Sequence, residues 1–122
     1  MKDLKLHSFL LTAAIGLFLA TGATAKEGHD VKYMASDKSP VIATLFRSTL
    51  AKTKGTIFLF HQASASGLAE FENITPKFTA QGFSTLVVDQ RSGGERFGGT
   101  NRTVGLHKNK KIGYCEAYPD LQ

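Results

Sequence analysis

A single cysteine, Cys115, is all the thiol chemistry in 122 residues, so no disulfide can close within the chain and a disulfide scaffold is excluded. No Cys/His cluster offers four ligands at usable spacing, which removes structural zinc. Three prolines, and twelve glycines without a G-X-Y period, exclude a Pro-rich tail and a collagen. A mean hydropathy just below zero excludes a polytopic membrane protein, and 42% hydrophobic residues argue against disorder. Two phosphate-binding motifs are missing as well. Residues 61–66 contain no glycine, so no G-x-G-x-x-G opens there, and residues 94–101 read G-x-x-x-x-G-T-N, without the lysine that clamps a phosphate. What remains is ordinary globular composition at a length that holds one domain.

The N-terminus reads as an address. Lys2 and Lys5 precede an apolar run at residues 9–20 (FLLTAAIGLFLA), and Ala23 and Ala25 then supply the small side chains of an A-x-A cleavage site. Residues 1–25 are therefore expected to be a secretory signal peptide, with residues 26–122 as the mature, secreted or periplasmic chain. An uncleaved signal anchor stays open, because the apolar run with its flanking small residues nearly reaches the length of a membrane span. After cleavage no stable span is expected. No cysteine follows the run, so lipid attachment at a new N-terminal cysteine is excluded. The net charge is +5, but its only dense cluster, Lys108, Lys110 and Lys111, has no interleaved aromatics. It reads as a solvated loop rather than a nucleic-acid surface.

Beyond residue 30 the pattern changes to strands. Val31 to Met34 alternate apolar and polar, residues 36–40 carry turn chemistry, and residues 41–46 resume a β-rich run, which together predict an antiparallel hairpin. Residues 56–60 and 86–88 are apolar without alternation, so both faces of each strand are expected to be buried. Between them, Thr75 is expected to cap a helix that begins at Pro76, turns Phe78 and Ala80 toward the sheet, and ends at Gly82. Residues 68–74 would be an irregular or short helical approach. The spacing of the two buried strands suits a right-handed βαβ crossover. The expected class is α/β, with a mixed sheet built from the hairpin and that unit.

In such a sheet chemistry gathers where strands end. The segments at and around these strand ends are Phe60-His61-Gln62-Ala63-Ser64, Gly82-Phe83, Val87-Val88-Asp89-Gln90-Arg91-Ser92-Gly93-Gly94 and Phe97-Gly98-Gly99-Thr100-Asn101. In this order they resemble the N-terminal third of the α/β-hydrolase superfamily, close to its dienelactone-hydrolase-like branch. The resemblance covers roughly residues 31–122. It implies that the backbone N–H of Gln62 or Ala63 faces a developing oxyanion, and that His61 anchors the loop. His61 reads equally well as a hydrogen-bonded strand-end histidine with no catalytic part. Asp89 and Arg91 would fix the second loop by an ion pair rather than act on substrate.

The resemblance also implies a nucleophile, an acid and a histidine, and none of the three is in place. No G-x-S-x-G occurs. Ser64 and Ser66 lie in A-S-A-S-G, a near miss, and Cys115 has no identifiable base. In the family the nucleophile elbow follows the helix that residues 114–121 begin, and the chain stops there. Residues 26–122 are therefore expected to be an incomplete α/β-hydrolase domain. By resemblance it is a hydrolase of small ester-type substrates, inactive as given, without cofactor, metal or nucleic-acid partner. The alternative is a small exported binding module without catalysis. Asn73 and Asn101 open glycosylation sequons that matter only in a eukaryotic host. In the hydrolase order the strand at residues 56–60 lacks its outer neighbour, so an open edge, a partly bare face and self-association of a molten, oligomeric or aggregated chain are expected.

Overall fold

The computed structural model describes residues 27–108 and 111–122; the segment expected to be a signal peptide and Lys110 lie outside them. The hairpin comprises β1 (His29–Met34) and β2 (Pro40–Phe46), with Val31 opposite Ala43 and Tyr33 opposite Val41. Its turn is closed by the Asp37 carboxylate, which accepts the Ser39 N–H at 3.0 Å. After β3 (Gly55–Phe60) the chain climbs through two short helices, α1 (Gly67–Phe71) and α2 (Thr75–Ala80), and returns in β4 (Phe83–Asp89). The strands form one mixed sheet in the order β1-β2-β4-β3. β4 runs parallel to β3 and antiparallel to β2, so it is the strand on which hairpin and crossover meet.

The helices lie on one face of β4 only. On the other face Val41, Ala43 and Val88 form a small core with Ala35, packed by Tyr33 and Leu86. A 3-10 helix at Cys115–Leu121 is tied to the hairpin there: the Ser36 N–H donates to the Pro119 carbonyl at 3.3 Å, and the Tyr33 hydroxyl to that of Asp120 at 2.7 Å. Proline at position 119, inside this segment, suits the tighter turn better than a continuing α-helix. No helix among the described residues is long and apolar enough to cross a membrane.

Two expectations need correcting. β3 is not buried on both faces: Phe58 is 58% and Phe60 37% exposed. With Ile57 to Phe60 all apolar, it carries the pattern of a strand covered twice, yet it sits at the sheet edge with helices on one side. In α2, Thr75 is the first helical residue and Ile74 occupies the cap position without a capping side chain. The inward face is made by Thr75 and Thr79, while Phe78 is half-buried and Ala80 exposed. Thr79 tolerates burial because its hydroxyl donates to the Pro76 carbonyl at 3.0 Å, which satisfies the polar atom within the helix. Gly82, at φ +97°, then takes the left-handed position that stops the helix.

Gly67 sets how closely α1 approaches the sheet. A Cβ there would lie 2.7 Å from Val87 Cγ1 and 2.9 Å from the Val88 carbonyl oxygen, so Gly67→Ala must push helix and strand apart. The expected loss is about 2 kcal/mol of stability. Urea unfolding measures it against Gly105→Ala, where an added Cβ meets nothing within 4 Å.

Candidate functional site

The loops that leave β3 and β4 meet around one imidazole. His61 is 2% exposed, and its Nε2 accepts the Gln90 N–H at 2.8 Å. The proton therefore sits on Nδ1, 2.7 Å from the Gln62 carbonyl to which it donates. Asn101, 6% exposed, closes the arrangement from a third segment. Its amide nitrogen lies 3.0 Å from His61 Nε2 and donates to the Gln90 carbonyl at 2.9 Å, while its oxygen accepts the Val104 N–H at 2.9 Å. Both ring nitrogens of His61 are thereby committed to holding loops together. The same bonds bury Asn101 and remove it as a glycan acceptor.

The two backbone N–H groups expected to face an oxyanion are each occupied by an oxygen of the chain itself. Gln62 N–H donates to Glu70 Oε2 at 3.0 Å, and Ala63 N–H donates to the Tyr114 hydroxyl at 2.5 Å. Glu70 comes from α1, and Tyr114 from the turn before the 3-10 helix. Both line a cavity of about 470 Å³ with Phe60, His61, Gln62, Gln90, Tyr118 and Leu121. Gln90 is 4% exposed, and its side-chain amide has no hydrogen-bond partner among the described residues. Arg96 reaches across from the second loop to the Gln62 side chain at 3.2 Å.

Asp89 and Arg91 do not pair with each other. Asp89 accepts the Gly67 N–H at 2.8 Å and the Arg102 Nε at 2.8 Å, on the helix side of the sheet. Arg91 turns to the other side, where its backbone N–H and Nε bind Asp120 at 2.7 Å each and its guanidinium grips Asp37 at 2.5 and 3.0 Å. The chain leaves the sheet between them, so the two side chains diverge. Arg102 spends its remaining donors on Asp30 and on Thr44. The Arg91 guanidinium holds the Asp37 carboxyl well below the usual carboxylate range, and Arg102 does the same for Asp30 more mildly. Burial, then the charge of Asp120, pushes the Tyr33 phenol up to about 12.

A larger cavity of about 590 Å³ lies elsewhere, between the helices and the end of β2, lined mainly by apolar groups including Phe46, Leu68 and Pro76. Its one cation, Arg102, is already spent on Asp30, Thr44 and Asp89. Chemistry therefore has more to work with at the β3 loop. Ser66 is fully buried and its hydroxyl accepts the Ala69 N–H as the cap of α1. Ser64 is exposed at φ +66°, with both His61 nitrogens already committed. Cys115 is exposed. No group of three or more His, Cys, Asp or Glu residues among those described could hold a metal ion.

Sequence reasoning placed His61, Gln62 and Ala63 at this strand end but missed Glu70, Tyr114, Asn101 and Asp120. Asn101 was visible as the end of a glycine-rich loop and as the start of a glycosylation sequon, and Asp37 as a turn former. Nothing in the spacing brings residue 114 or 120 to the β3 and β4 loops. No protein-family model matches the chain, and comparisons with curated proteins and with solved structures likewise find no match.

Two outcomes follow for this cluster. Asn101→Ala leaves the Val104 N–H without its acceptor and takes one of two donors from the Gln90 carbonyl, which keeps the Gly93 N–H, and is expected to cost about 2 kcal/mol by chemical denaturation. Asp37 titrates below its ordinary value of 3.8 when folded, so the unfolded chain takes up the proton first. Stability from the Arg91 pair is thus complete above that value and lost as pH falls below it. Melting temperature measured against pH should drop on the acid side, and less steeply in Asp37→Asn.

Proposed function

We propose that the chain is an exported protein built on the N-terminal part of an α/β-hydrolase fold. Its β3 loop carries the oxygen-binding portion of an ester-hydrolysing site, and this chain binds small ester-type ligands without turning them over. One observation supports the reading above the others: consecutive N–H groups, of Gln62 and Ala63, each hold a side-chain oxygen at a loop that leaves a parallel strand. Donors of this kind stabilise a developing oxyanion by about 3 kcal/mol each when correctly aimed. The absence of turnover rests on the serines. Ser66 is spent on a helix cap, and His61, in the same loop as Ser64, has both ring nitrogens committed and none left to deprotonate it.

The test uses phenylphosphonate, a tetrahedral oxyanion, titrated into the ¹⁵N-labelled chain. Shifts at the Gln62 and Ala63 amides are expected, and larger ones in Glu70→Ala, where the internal competitor is gone. Shifts confined to Lys108 and Lys111 would sink the reading. In parallel, an activated ester should be hydrolysed no faster by the chain than by its Ser64→Ala, Ser66→Ala double variant. A serine labelled by a fluorophosphonate probe would show turnover after all.

A second reading, a non-catalytic exported binding module, is favoured by the Gln90 amide, which lines the same cavity unpaired. Ligands that move the Gln90 side-chain signals but leave the Gln62 and Ala63 amides unshifted would select it. Export itself predicts a mature N-terminus at Lys26, read by mass spectrometry of secreted material; a membrane-extracted species that begins at Met1 would refute this.

A further inference from the structure

The two edges of the sheet differ in how they meet another strand. β1 carries Asp30 and Lys32, charges that discourage pairing. β3 has no charge and no proline over residues 55–60, and among the described residues no strand lies along its outer edge. Phe58 and Phe60 project from the less covered face of the sheet, their rings stacked with centroids 6.4 Å apart. Behind them the cross-strand rows stay apolar: Phe58, Leu86 and Leu45 in one, Phe60, Val88 and Ala43 in the next.

We propose that β3 pairs antiparallel with β3 of a second copy, about a twofold axis at residue 58, to make one continuous eight-stranded sheet. In an antiparallel pair, facing residues point to the same side, so even-numbered positions must face even-numbered ones for the two phenylalanine faces to coincide. Centring the axis on residue 58 satisfies this within the strand. It sets Phe58 against Phe58, Thr56 against Phe60, and Ile57 against Leu59 on the opposite face. Centring it on residue 59 would instead leave only residues 58–60 paired strand to strand and draw Thr56 and Ile57 onto Gln62 and His61 of the loop network.

Charge favours the same occupant. In the residue-58 register Lys54 of each copy reaches the end of the other's strand, where Gln62 N–H holds the Glu70 carboxylate, so opposite charges meet twice. The outer edges of the resulting sheet are the two charged β1 strands, which stops growth at two copies. The contact is small. A six-residue edge with two phenylalanines buries about 500 Å² per partner, short of the roughly 800 Å² typical of a stable interface. The dimer should therefore form reversibly, with a dissociation constant of about tens of micromolar.

Sedimentation velocity of the soluble chain over a roughly hundredfold concentration range should show reversible monomer and dimer and nothing larger. Phe58→Lys, at an exposed position, is expected to weaken the dimer at least about tenfold with an unchanged far-UV spectrum. The register is read by cross-linking. In a Cys115→Ser background, Phe58→Cys should oxidise to a disulfide dimer, because facing Cα atoms about 4.5–5.5 Å apart suit the bond. Phe60→Cys should not. A chain that stays monomeric throughout overturns the proposal and leaves the edge to a different strand. So do assembly past two copies, a dimer indifferent to Phe58→Lys, or cross-linking through residue 60 in place of 58.

Discussion

Four consecutive polar residues at the end of β4, Asp89, Gln90, Arg91 and Ser92, are each at most 6% exposed. Buried polar groups cost several kcal/mol unless hydrogen-bonded, and buried charges more. Segments on both sides of it in the chain are drawn in to meet that demand. Gly67 and Arg102 come to Asp89, His61 and Asn101 to the backbone of Gln90, Asp37 and Asp120 to Arg91, and Ser64 to the Ser92 carbonyl. The hairpin turn, the β3 loop, the glycine-rich loop and the 3-10 helix thus share one anchor. Among the described residues, the Ser92 hydroxyl and, further off, that of Thr85 and the ring of His107 keep fully occluded polar atoms without a partner.

This anchor shapes what the site can do. An imidazole with both nitrogens engaged cannot take a proton from a serine without releasing a loop, so His61 supports the backbone of Gln62 and Ala63 instead of acting on a nucleophile. The N–H groups it helps to place hold oxygens from Glu70 and Tyr114, which belong to elements outside the loop. On the proposed reading, these groups form a cradle for oxygen. Its acceptors are half-buried or exposed, so an incoming oxyanion competes with side chains that water can readily take back.

The sheet is covered unevenly. Threonines from α2 and the close approach of Gly67 seal one side of β4, while the opposite side has a core of valine and alanine and only a 3-10 helix beyond it. Small side chains allow close packing there but bury little area. Phe58 and Phe60, the largest apolar groups of β3, are left outside that core. The same feature that limits the stability of the isolated chain supplies its adhesive edge.

Strand identity was legible along the chain because alternation and apolar runs record which faces are covered. The hairpin, the two parallel strands, the glycine that ends α2 and the loop bearing His61, Gln62 and Ala63 all follow from local pattern and turn chemistry. Apolar runs overstate burial, however, as β3 demonstrates: residue type registers what a strand can tolerate, and position in the sheet decides what it receives. Partner choice was beyond reach for a related reason. Asp89 and Arg91 are two residues apart and oppositely charged, so local logic pairs them, but the strand ends between them and sends them to opposite sides. Asp120, Asp37 and Tyr114 find their places through contacts 29 to 54 residues away in sequence. Such contacts exist only once the sheet has closed around its buried polar strand end.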